Sequence, residues 1–195
     1  MANTDISFEE LLEHLNTFAV LQWPQDEKFV ESEDGEFIKE WLIANRKYHF
    51  STLKDAKIKV LFKKDLGSRG SQAVLGQARA QNDLQRKINP DVEFILLLNF
   101  KFWNDLTNEY KVILVDHELM HMNKQYTDRG VKIGCDPHDF EEFVAILRQY
   151  GEEKVLKFHN LTALMLEQKK EEAEDKKKEK KASKMPEGLD ILDEG

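Results

Sequence analysis

Leu114-Val115-Asp116-His117-Glu118-Leu119-Met120-His121 is the stretch whose reading decides the fold. It has the form H-E-x-x-H. In a helix, four residues is just over one turn, so His117 and His121 leave the same face and can share one metal ion. Glu118 lies about 100° round from His117 and about 60° from His121. That is too far round for a natural third ligand, yet close enough to take a proton from water on the metal. Zinc acidifies such a water, which makes Glu118 the candidate general base. A bare H-E-x-x-H also occurs in ordinary helices, so the surrounding chain must decide.

Immediately upstream, Leu106-Thr107-Asn108-Glu109 is a helix start, with Thr107 as N-cap and Glu109 in the first turn, where the dipole favours an acid. No Pro or Gly follows before Met122. Tyr110, Ile113, Leu114, His117 and His121 fall along one side. The spacing predicts a helix over 108–123.

The 195 residues suffice for one domain plus appendages. At 41% hydrophobic the chain can build a core, the value being lowered by a charged C-terminus. A net charge of −8 and a pI near 5.4 argue against a nucleic-acid or anionic-membrane surface. The first eight residues lack the basic and apolar regions of a signal peptide, and no apolar run is long enough to span a bilayer. The single Cys135 excludes an internal disulfide and a Cys-rich structural zinc site. The expected location is the cytoplasm, of a bacterium or of an infected cell.

Taken in order, Phe8, Leu11, Leu12, Leu15, Phe18 and Ala19 stand at helical spacing after Ser7, and Trp23-Pro24 stops that helix. It packs on the domain or meets a partner, and packing is the commoner use of such a stripe. Residues 31–35 read as a polar break. Phe37, Ile38, Trp41, Leu42 and Ile43 predict a helix to about Tyr48, with His49 a half-buried loop residue. The alternation over 57–63 predicts a half-buried strand. Residues 73–79 read as a second strand, in which Gly76 marks a bulge or the close approach of another backbone. After the turn Asn89-Pro90-Asp91, the apolar run 92–98 predicts a third strand buried on both faces. Residues 123–137 read as a loop with a turn at Asp128-Arg129-Gly130 and a small hairpin through 131–133. Asp136 as N-cap, Pro137 at the first helical position and Asp139 in the first turn start the next helix, which Gly151 ends. A last helix follows from Glu152, with His159 solvated or at the core edge. The expected division is an N-terminal helix and linker over 1–30, a main domain over 31–166 and a charged tail over 167–195. The Glu/Lys blocks of the tail extend the helix or are disordered; Leu189, Ile191 and Leu192 make a partner-binding peptide the alternative.

A hydrolytic zinc needs a third protein ligand and an open position. His138, seventeen residues after His121 and at a helix start, is the choice. By helical repeat it lies opposite the Phe140/Leu147 face, so it must reach the metal from the helix's extreme end. Glu142 and Asp139 are the alternatives, Glu142 also as an acceptor that orients an imidazole. Cys135 is a further rival. Tyr126, Arg129 and Lys132 are candidate donors to the oxyanion.

Taken together, Val74-Leu75-Gly76-Gln77-Ala78-Arg79, 94–99 with Trp103 and Leu106-Thr107, 114–121, and His138-Asp139-Phe140-Glu141-Glu142-Phe143 resemble the phage metallopeptidases, over about residues 38–150. The layout is also similar to the SprT-like metallopeptidases, in which a later His at a helix start, in a His-Gly-x-x-Phe pattern, completes the metal site. His138 matches that His; Asp139 replaces the Gly, and the Phe falls at Phe140 or Phe143. The zinc-ribbon or basic appendages that tie some of those proteins to DNA are absent. The resemblance implies peptidase chemistry without naming a substrate.

The resulting expectation is a small zincin-like α+β domain with a three-stranded sheet, the H-E-x-x-H helix and a following ligand helix. His117, His121 and His138 would hold Zn²⁺ and Glu118 would be the base. An extended protein or peptide substrate would add to the sheet edge at Val74, Leu75, Gly76 and Gln77. The opposing reading is a non-enzymatic adaptor of a phage or prophage, its metal structural and its tails bound to a partner.

Overall fold

The computed structural model describes residues 4–19, 22–46, 49–69, 72–137 and 144–182. It is a mixed α+β structure. Helix α1 (Phe8–Leu15) starts at Ser7 with a reciprocal cap: the Glu10 N–H donates to Ser7 Oγ at 3.2 Å and the Ser7 N–H to Glu10 Oε2 at 2.7 Å. Its Leu11 and Leu15 are buried in the main core, so the apolar stripe packs on the domain.

The chain then forms β1 (Phe29–Glu31), α2 (Glu33–Asn45), a 3₁₀ turn (Ser51–Leu53), β2 (Ile58–Lys63), β3 (Ser68–Arg69), β4 (Gln72–Ala73) and β5 (Gly76–Ala80). There follow α3 (Asp83–Ile88), β6 (Phe94–Asn99), α4 (Phe100–Trp103), α5 (Asn108–Met120), β7 (Met122–Thr127), β8 (Gly130–Cys135), α6 (Val144–Tyr150) and α7 (Glu152–Ala182). Among the described residues no helix is long and apolar enough to cross a membrane.

The main sheet has four strands in the order β1-β2-β6-β5, not three. β2 and β6 are parallel; β1 and β5 run antiparallel to their neighbours. The added strand is Phe29-Val30-Glu31, too short to show an alternation and flanked by the charges that read as a break. The run 73–79 also divides: Ala73 belongs to the β3–β4 ribbon and Gly76 begins β5. Helix α3 lies between the second and third expected strands, where no element was predicted; its cap is again reciprocal, between Asn82 and Gln85. β6, central and apolar, is buried on both faces for most of its length, as its composition predicts. The loop expected over 123–137 is mostly the β7–β8 hairpin, six residues a side. Of the helix expected from Asp136-Pro137 to Gly151, residues 144–150 form α6, and its first part, 138–143, lies outside the described residues. Helix α7 continues through the Glu/Lys blocks to Ala182; residues 183–195 are outside the description.

Helix α5 is buried nearly all round: Val112, Ile113, Leu114, Val115, Asp116, Glu118 and Leu119 are all buried. It therefore shows little amphipathic contrast, and tertiary packing holds it. Two buried carboxylates tie it in place. Asp34 accepts from Trp103 Nε1 at 2.6 Å and from Ser32 Oγ at 3.0 Å, and lies 3.9 Å from Lys111 Nζ. Asp116 accepts from Arg46 and, at 2.7 Å, from the Tyr150 hydroxyl.

The hairpin is tied to the sheet by Lys124, whose Nζ donates to Glu93 Oε2 at 2.7 Å and to the Asp55 carbonyl at 3.1 Å. Burial alone would raise the Glu93 pKa, but the Lys124 and Lys57 donors outweigh it and hold the carboxyl below its ordinary 4.5. A carboxylate depressed in the folded state contributes stability above its unfolded pKa and loses it as pH falls through the folded one. Glu93→Gln should therefore lose less stability than the parent between pH 6 and pH values below 4.5, read from urea unfolding. Parallel losses in the two proteins would remove Glu93 from the acid sensitivity.

Candidate active site

Helix α5 stops at Met120, short of the expected 123, because the chain leaves it to pair in the hairpin. His121 keeps helical angles as the C-cap, φ −68° and ψ −28°, so the four-residue spacing to His117 survives. The two imidazoles lie side by side, ring centres 5.2 Å apart and inclined at 75°. Two rings bound to one tetrahedral zinc through Zn–N bonds of about 2.0–2.1 Å would have their centres about 5 Å apart, so the pair fits a shared ion.

The hairpin fixes the second ring. The Asp136 N–H donates to the His121 carbonyl at 2.7 Å, and His121 Nδ1 lies 2.6 Å from the Asp136 carbonyl. A carbonyl only accepts, so Nδ1 carries the proton and Nε2 carries the lone pair. This is the contact that orients metal-binding histidines. Asp136 is itself held by Asn123, whose Nδ2 donates to Oδ2 at 2.7 Å.

Glu118 turns the other way, against the sheet. It is 6% exposed, and its Oε2 accepts the Ala78 N–H at 2.8 Å. A Cβ on Gly76 would stand 2.7 Å from both Glu118 Cγ and Oε1. The glycine marks a close approach, but of this side chain, where another backbone was expected. Gly76→Ala should push the carboxylate off the Ala78 amide and cost about 1–3 kcal/mol through overpacking. Faster hydrogen exchange at Ala78 with lower stability is the expected result; unchanged exchange would mean the strand yields instead.

These groups line a cleft of about 530 Å³. One wall is the outer edge of the sheet. Leu75 bonds toward β6 through its carbonyl, which accepts from the Asn99 N–H at 2.8 Å. In an antiparallel ladder the alternate residues face away, so Gly76, Ala78 and Ala80 present their backbone outward. Ala78 is taken by Glu118, and Ala80's N–H by the Cys135 sulfur. Val74 is also engaged, its N–H with Gly67 and its carbonyl with Asn99 Nδ2. Of Val74, Leu75, Gly76 and Gln77, all lining the cleft, Gly76 alone turns its backbone outward.

Cys135 also lines the cleft, and burial, with the nearby Glu118 and Asp136 charges, pushes its thiol up against the partial relief from the Ala80 N–H. Among the described residues no three His, Cys, Asp or Glu side chains converge on a metal-sized point, so Cys135 does not complete the set. His138, Asp139 and Glu142 lie outside the described residues. Pro137, which precedes them, lines the cleft.

Tyr126, Arg129 and Lys132 are not cleft residues. The hairpin runs outward from His121, so Tyr126 sits about 17 Å away along a strand rising about 3.4 Å per residue. Arg129 and Lys132 line a second cavity, of about 580 Å³, between the hairpin tip and α3. Conversely, His159 of α7 is half-buried and does line the cleft. Nothing in its local spacing marks it, because the contact depends on how α7 crosses the domain. The Ala78 amide and Asp136 carbonyl are equally silent in sequence, being backbone atoms.

A mixed α+β fold that gathers two imidazoles and a buried carboxylate at an open cleft is a candidate metal-dependent enzyme. The chain belongs to the family described as putative phage metallopeptidase, which matches residues 27–182. Neither the curated proteins nor the solved structures include a match.

Proposed function

We propose that this protein is a zinc-dependent peptidase of zincin-like plan, acting on protein or peptide substrates in the bacterial cytoplasm. The observation that carries the reading is the side-by-side imidazole pair, with His121 already oriented by Asp136 and the neighbouring Glu118 of α5 hydrogen-bonded to the cleft-lining strand β5. His117 and His121 supply two ligands. His138 supplies the third, since it is one residue, about 3.8 Å between Cα atoms, beyond the cleft-lining Pro137. Glu142 and Asp139 are the alternatives at that position.

When bound, zinc supplies a Lewis acid that lowers the pKa of a coordinated water to about 7. Glu118 has one carboxylate oxygen, Oε2, committed to the Ala78 N–H. It takes the water's proton at Oε1 as the water oxygen adds to the peptide carbonyl carbon. It returns that proton to the amine nitrogen as the C–N bond breaks, so one water is consumed per bond. The substrate lies extended along Gly76, pairing with its outward backbone. The tail beyond Ala182 serves partner recognition.

The test is a mixed peptide library incubated with zinc-loaded protein and read by mass spectrometry. Cleavage that stops on chelation and returns with added zinc is expected. A library left intact by fully loaded protein would favour the adaptor reading, in which the metal only holds the fold.

A further inference from the structure

Hydrolysis of a peptide needs a donor for the carbonyl oxygen as it gains charge, and such donors work best when fixed before reaction. The hairpin residues that the sequence offered for this are outside the cleft. Helix α7 brings another. Its Val155, Phe158 and Met165 are buried. The Phe158 ring lies 5.3 Å from that of Tyr110, and Lys154 Nζ reaches Glu109 Oε1 at 2.5 Å, both partners being in the first turn of α5. These contacts, one helical turn apart on α7, fix both its position and its rotation against the helix that carries His117 and His121. His159 follows Phe158, about 100° further round, and lines the cleft. Arg69 lines the same cleft but is exposed, on a two-residue strand.

We infer that His159 is a catalytic residue of this site: a ring N–H donates to the scissile carbonyl oxygen and strengthens as that oxygen becomes an oxyanion. The inference rests on the peptidase reading above. No further atom is transferred; the imidazole keeps its proton while Glu118 carries the proton from water to amine.

The experiment compares zinc-loaded wild type, His159→Gln and His159→Phe. Zinc content and melting temperature come first, then kcat and KM on a peptide cut from the library, then the affinity for acetohydroxamate by calorimetry. The expected result is unchanged zinc, with kcat about 10²–10³-fold lower in His159→Phe and KM little altered. His159→Gln, which keeps an N–H, should recover part of the loss. Acetohydroxamate, whose oxygens occupy the same position, should bind about tenfold or more weakly to His159→Phe. Equal kcat values, or equal hydroxamate affinities, overturn the inference. Loss of zinc in His159→Phe also overturns it, by making His159 a ligand. The hydroxamate comparison needs no turnover, so it judges His159 even where the library stays intact and the peptidase reading itself fails.

Discussion

Glu118→Gln should keep the fold and the zinc while kcat falls at least about 10³-fold, within the range for loss of a general base. The amide matches the carboxylate in size, so it fits the space that Gly76 leaves open. Its oxygen can still accept the Ala78 N–H, now at 2.8 Å from Oε2. What it loses is the ability to accept a proton. Metal content and circular dichroism establish that the site is intact, and single-turnover cleavage reads the chemical step. Retained cleavage would remove Glu118 from the mechanism. Loss of zinc along with activity would instead place its carboxylate among the ligands.

The largest effect on stability is expected at Asp116, the residue before His117. It is fully buried and joins three helices, accepting from Arg46 at the end of α2 and from Tyr150 at the end of α6. Burial pushes the Arg46 pKa down and the Tyr150 pKa up, so both groups sit where solvent does not help them. Asp116→Ala leaves a guanidinium only 7% exposed without its counter-charge, and should cost about 3–5 kcal/mol. Replacing both partners by apolar residues, Arg46→Met with Asp116→Leu, should cost much less, because no buried charge is then stranded. Urea unfolding of the single and double variants reads this. A single variant within about 1 kcal/mol of wild type would show that water or local movement replaces the lost partner.

What the sequence revealed about this fold follows from how local each signal is. The His117/His121 spacing, the Thr107 cap and the strands at 58–63 and 94–99 depend on neighbours a few residues away, and each was legible. β1 was hidden because three residues give no period, and it becomes a strand only by pairing with β2. α3 was hidden because its apolar Leu84 and Ile88 stay exposed, so no core-facing stripe marks it. In the candidate site, residue type and spacing singled out Glu118, and a glycine within a strand singled out Gly76, but their mutual contact spans forty-two residues of chain. The same holds for His121 with the Asp136 carbonyl and for His159, whose places are set by the hairpin and by α7. Long-range packing decides such contacts, and one sequence carries no local trace of it.

The central claim is a zinc ion held jointly by His117, His121 and His138. Elemental analysis of protein purified without an affinity tag tests it most directly. One zinc per chain is predicted for the wild type, falling close to none in His117→Ala, His121→Ala and His138→Ala, each checked for folding. A folded wild type without zinc after exposure to it, or full zinc in His117→Ala, His121→Ala or His138→Ala, would contradict the account.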